Sequence, residues 1–110
     1  MIFNDKNDCI ESIARVLEGT SAWRMSMSVG FPDDTRNLQA SKKLKTLAVD
    51  AGNLTDEHWE ILQPYFGGWT SQAWRVGLSK TARQVGFWHR SNNFDAFVKS
   101  LAHNLSSVAA

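Results

Sequence analysis

The chain has 110 residues, of which 43% are hydrophobic and 21% charged. This balance is typical of one globular domain and excludes a disordered chain. Its single cysteine excludes an intrachain disulfide, and no apolar run approaches the roughly 18 residues of a membrane span. Two acids lie near the N-terminus, where a secretory leader would be basic and then apolar. We therefore expect one cytoplasmic domain over residues 1–110, with no membrane contact.

The net charge of +1 is unevenly distributed along the chain. Residues 1–68 carry seven Lys/Arg against ten Asp/Glu, whereas residues 69–110 carry five Lys/Arg against Asp95 alone, a net charge of +4. An anionic partner would therefore approach the C-terminal part of the chain.

The first element is a helix over residues 5–18. Its apolar residues recur at helical spacing, and Gly19 is placed to end it; they are Cys9, Ile10, Ile13, Val16 and Leu17. From Trp23 to Val29 apolar and polar residues alternate with a period of two, which predicts a half-buried strand. The turn Pro32-Asp33-Asp34 can cap the helix that follows.

Two further helices follow, over residues 35–51 and from Thr55 onwards. In the first, Lys42, Lys43 and Lys45 form a face that we interpret as solvated, with a phosphate-binding ridge as the alternative. In the second, Thr55 is a natural N-cap, and Pro64 should distort the last turn.

Residues 69–85 allow two interpretations. As a helix, they place Trp69, Ala73 and Val76 on one face; as a hairpin, Trp74, Val76 and Leu78 alternate before a turn. We favour the helix, since residues 79–84 contain no strong strand former apart from Thr81. A final amphipathic helix runs from Asn92 or Asn93 to about Ser106, and its apolar positions are Phe94, Phe97, Val98, Leu101 and Leu105.

These elements predict a mainly α fold, a single compact domain of four to five helices. The alternative is an α+β fold with a small three-stranded sheet from residues 22–29, 72–78 and 83–90.

The segment 78–101 has the outline of a helix-turn-helix, with small Ala82 in the first helix and Gly86 at the turn. Ala82, Val85-Gly86-Phe87 and Phe97 are similar to the second helix-turn-helix of AraC-type transcription activators. Asn93 stands where that pattern has an aromatic residue. The resemblance covers about 24 of the 110 residues and implies DNA binding.

No constellation in the sequence indicates catalysis, a metal or a cofactor. His58, His89 and His103 show no ligand spacing with one another or with Cys9. Neighbouring acids such as Asp56-Glu57 are explained by the chemistry of a helix start. We expect Cys9 to be a small buried residue rather than a reactive thiol, and we expect the protein not to be an enzyme.

The function we expect is therefore contact with another macromolecule, most simply a protein partner or a second copy of the chain. Tryptophan and arginine commonly anchor interfaces, and the residues that we assign to such a surface are Trp69, Trp74, Arg75, Trp88 and Arg90. The alternative is a DNA-binding transcriptional or accessory protein. Its nucleic-acid contacts would come from Arg83, Arg90, Asn92, Asn93 and Lys99.

Overall fold

The computed structural model describes residues 6–66, 72–85 and 93–109. In these ranges five α-helices pack into a single compact globule that contains no strand. The helices are α1 (Lys6–Gly30), α2 (Arg36–Asp50), α3 (Asp56–Leu62), α4 (Gln72–Gln84) and α5 (Phe94–Ala109), with short 3₁₀ turns at Ala51–Asn53 and Gln63–Tyr65. The predicted mainly α fold is confirmed, and the α+β alternative is wrong.

Helix α1 is longer than the sequence predicted, and two predictions on it are wrong. It continues through Gly19, which does not end it, and it includes the predicted strand over residues 22–29. Its buried stripe is regular along the whole length, at Cys9, Ile13, Leu17, Ser21 and Arg24. The last two members of that stripe are polar, so the apolar pattern stops while the helix does not.

The polar end of this stripe packs against α2, which runs antiparallel to α1. The Ser21 hydroxyl donates to the carbonyl of Ser41, and the Ser41 hydroxyl donates to the carbonyl of Ser21, each at 2.9 Å. Both serines are buried, so the two bonds satisfy polar groups that would otherwise be costly to remove from water. The predicted second helix is confirmed, and Asp34 accepts a hydrogen bond from the Arg36 amide at its start.

Helix α3 begins as predicted at an N-cap and is tied to α5 by one histidine. Thr55 accepts from the His58 amide at 3.1 Å, and His58 Nδ1 accepts from the Thr55 amide at 3.3 Å. His58 Nε2 lies 3.2 Å from an Asp95 carboxylate oxygen on α5. Pro64 lies in the 3₁₀ turn that ends this segment, in agreement with its predicted effect.

Residues 72–84 are helical, so the hairpin interpretation is wrong. Helix α4 crosses α5 where Gly77 meets Leu105, and a Cβ added to Gly77 would lie 2.6 Å from the Leu105 Cδ2 atom. The same interface buries two consecutive hydrogen bonds. Asn104 donates to the Thr81 hydroxyl at 2.8 Å, and that hydroxyl donates to the Gly77 carbonyl at 2.7 Å. Close backbone approach and buried hydrogen bonds together fix the crossing.

Helix α5 supplies the centre of the core. Asn93 caps it, because its side-chain oxygen accepts from the Ala96 amide at 2.8 Å. The predicted apolar face is confirmed as buried; its members are Phe94, Phe97, Val98, Leu101 and Leu105.

Two glycines inside helices should respond to alanine with opposite signs. We expect Gly77→Ala to lower the free energy of unfolding by about 1–2 kcal/mol, because overpacking against buried Leu105 outweighs the gain in helix propensity. Gly19→Ala should raise it by about 0.5–1 kcal/mol, because a Cβ there meets nothing within 4 Å. Urea denaturation of both variants measures the two shifts, and shifts of the same sign would contradict the account of the crossing.

Candidate interaction surface

Of the five residues that the sequence assigned to one tryptophan–arginine surface, the structure describes two, Trp74 and Arg75, and they face different sides of α4. Trp74 is a core residue, 5% exposed, and its indole N–H donates to the Ser12 hydroxyl at 3.0 Å. Its assignment to an open surface is therefore wrong, because neighbouring positions on a helix face different sides. Arg75, the next residue, is exposed. Trp69, Trp88 and Arg90 lie outside the described residues.

The structure describes three of the five residues assigned to nucleic-acid contact. Arg83 is exposed on α4, whereas the side chain of Asn93 caps α5 and Lys99 pairs with Asp95 at 3.0 Å. Arg90 and Asn92 lie outside the described residues, as does Gly86 at the proposed turn.

A buried arginine joins three helices beneath the surface. Arg24 of α1 is 3% exposed, and its Nη1 donates to the Asn37 side chain of α2 at 2.8 Å. Its Nη2 donates to the carbonyls of Arg83 and Val85, at 3.2 and 3.4 Å. Burial, and to a lesser extent Arg36, lowers the pKa of this guanidinium. A cation at the carbonyl end of α4 is the favourable sign for the helix dipole.

Trp23 lies directly above this arginine and is open to solvent. Its ring centroid is 5.6 Å from the Arg24 guanidinium carbon, and half of its surface is exposed. With Val16, Gly19 and Thr20 it forms the α1 side of a shallow depression, and Arg83 of α4 lies on the other side. The sequence missed this placement because the alternating pattern around Trp23 was interpreted as a strand.

A second depression lies on the outer face of α4. Arg83 borders both depressions, and the second is lined by Arg75, Val76, Ser79, Lys80 and Gln84. Val76 is 52% exposed. We call the two depressions together the α1–α4 groove; the described residues that line it include three cations and no acid.

Beyond Trp23 a third depression extends the apolar surface to the end of α1. Met27 and Phe31 line it, and Phe31 is 59% exposed. The cation at this end is already neutralised, because Arg36 binds Asp34 at 2.6 Å and its hydrogen bonds hold the pKa of that carboxyl at about 2. The unneutralised charge therefore lies at the α4 side.

Two ionisable side chains elsewhere, His58 and Cys9, have structural roles. Both ring nitrogens of His58 are occupied, by the Thr55 amide and by Asp95. Cys9 is fully buried, as expected, and burial raises the pKa of its thiol to about 12. Within the described ranges no three His, Cys, Asp or Glu side chains come together to hold a metal ion.

No protein-family model, curated protein or solved structure matches the chain. None of the helices in residues 6–66, 72–85 and 93–109 has the length and apolar character to cross a bilayer.

We expect the Cys9 thiol to be inert in the folded protein. A disulfide reagent at about pH 8 should modify it only after unfolding, because the thiolate is the reactive form and burial disfavours it. The unfolded chain ionises this thiol at lower pH than the folded chain does, so its contribution to stability falls as the pH rises above about 8.5. Rapid labelling of the native protein would contradict this assignment.

Replacing Arg24 should weaken the junction of the three helices. We expect Arg24→Ala to cost about 2–4 kcal/mol of unfolding free energy, since buried acceptors on α2 and α4 lose a charged donor. Exposed Arg15, paired with Glu11, is the matched control; Arg15→Ala should cost less than about 1 kcal/mol. Guanidinium denaturation compares the two, and equal losses would refute the structural role of Arg24.

Proposed function

We propose that this chain is a non-enzymatic interaction domain that contacts another protein through the α1–α4 groove. The observation that carries the proposal is the combination of exposed apolar side chains with cations in two depressions that share Arg83. Trp23 and Val76 are each about half exposed there, beside Arg83. Exposed aromatic and arginine side chains are the residue types that anchor protein interfaces.

The rest of the described surface offers a natural comparison. Val49 on α2 is 76% exposed, but its neighbours on that face are Lys45, Lys42 and Thr46, with no aromatic side chain. This is the solvated lysine face that the sequence predicted. The groove differs from it in having aromatic area and two helices as walls, which supports a docking role for the groove and not for α2.

DNA binding through segment 78–101 is a second proposal, which has weaker support. Arg75, Lys80 and Arg83 form a basic strip on α4. However, the exposed face of α5, which would have to enter the major groove, carries Asp95 paired with Lys99. Repulsion between such an acid and the phosphates opposes binding.

Site-specific photocrosslinking tests the proposed function. A benzophenone side chain at position 76, in cells that express the protein, should give a discrete protein adduct. The same group at position 49 is the matched control and should give little adduct, because that position lies on the lysine face. Arg83→Glu should remove the adduct at 76 by reversing the charge beside it.

Two outcomes would overturn the proposed function. Adducts of equal yield at positions 76 and 49 would show that the groove has no preference. Adducts at neither position, together with a salt-sensitive shift of duplex DNA at about 50 mM salt, would favour the DNA-binding proposal instead.

A further inference from the structure

Among the described residues, the three exposed cations of the groove have no carboxylate partner, and the same is true of Lys42 and Lys45 on the lysine face of α2. Elsewhere Arg15 pairs with Glu11, Arg36 with Asp34 and Lys99 with Asp95. Among the described residues, no acid lies within ion-pair distance of the charged groups of Arg75, Lys80 and Arg83. A ligand that supplies carboxylates would therefore complement the groove without displacing an existing pair.

The dimensions of the groove suit a helix. Helix α4 runs in the same direction as α1, since Trp74 contacts Ser12 and the end of α4 contacts Arg24. The α1 wall from Val16 to Trp23 spans seven residues, about 10 Å at the helical rise. An amphipathic partner helix places apolar side chains at i, i+4 and i+7 over the same length.

The floor of the groove permits close approach. Gly19 is exposed in the middle of α1, and a Cβ built on it would meet nothing within 4 Å. A glycine inside a helix lowers its stability relative to alanine, and packing within this chain does not require one here. A partner backbone that approaches α1 would benefit from the missing side chain.

We propose that the α1–α4 groove binds an acidic amphipathic helix of a partner protein, an inference that rests on the proposed function. Trp23 and Val76 contact its apolar face. Arg75, Lys80 and Arg83 pair with carboxylates along one edge of that helix, and Gly19 lies beneath its backbone.

Fluorescence anisotropy with designed peptides tests the proposal on the full chain. The probe is a labelled peptide of roughly 18 residues with leucines at i, i+3, i+4 and i+7 and glutamates on its polar face. Its matched control has lysine at every glutamate position. The acidic probe should bind at least about tenfold more tightly than the lysine probe, and binding should weaken as salt rises from about 50 to 250 mM.

Substitutions locate the binding. Gly19→Leu should fill the groove and weaken the acidic probe at least about tenfold, while circular dichroism shows an intact fold, since the added side chain points into open space. Lys80→Glu combined with Arg83→Glu should weaken it by a similar factor. Lys42→Glu combined with Lys45→Glu makes the same charge change on the lysine face of α2 and should have little effect.

Equal affinities for the acidic and lysine probes would overturn the proposal, as would no binding of the acidic probe at about 1 mM. Equal losses of affinity in the α4 and α2 double variants would overturn it too, and so would displacement of the acidic probe by duplex DNA. Sedimentation that shows a concentration-dependent dimer, blocked by Gly19→Leu, would replace the acidic helix with a second copy. A crosslink retained at position 76 without probe binding would refute the acidic helix alone, and loss of both would refute the proposed function as well.

Discussion

The packing of this protein depends on one buried guanidinium. Arg24 is a member of the buried stripe of α1, but it donates to the Asn37 side chain of α2 and to the carbonyls of Arg83 and Val85 at the end of α4. Those carbonyls have no partner within their own helix and need a donor when they are buried. A guanidinium has five donors in a rigid plane, so one side chain can bind two helices at once, which an apolar residue cannot do. Arg24 thus holds the antiparallel pair α1–α2 and the parallel helix α4 together.

The helices that the sequence predicted well are those whose buried stripes are mostly apolar. Helix α5 is the clearest, with Phe97, Leu101 and Leu105 at helical spacing, and α3 was located by its N-cap. The second half of α1 was missed because its stripe continues through Ser21 and Arg24. These residues are stable in the interior because Ser41 and Asn37 of α2 accept hydrogen bonds from them. Sequence periodicity records hydrophobicity, and it cannot record a partner 13 to 20 residues away.

The candidate site was less predictable for a related reason. The sequence brought together tryptophans and arginines that are close along the chain, whereas the groove combines Trp23 and Arg83, which are 60 residues apart. Trp74 and Arg75 were grouped although they face different sides of α4, one in the core and one in solvent. Two of the predicted site residues line the groove: Arg75, which was assigned to the tryptophan–arginine surface, and Arg83, which was assigned to phosphate contact because of its charge. The sequence signal for the cations of the groove was the net charge of +4 over residues 69–110.

The two walls of the groove differ in how freely they can change during evolution. On the α4 wall, Arg75, Val76 and Lys80 are exposed and belong to no core cluster, so their substitution should alter stability by no more than about 0.5 kcal/mol. The α1 wall has less freedom, because Trp23 rests on the arginine that joins three helices. Under the proposed function, a lineage could therefore exchange one partner for another by mutating α4 alone, with the fold inherited intact. New binding specificity would then arise from changes on α4, while α1 keeps the shape of its wall of the groove.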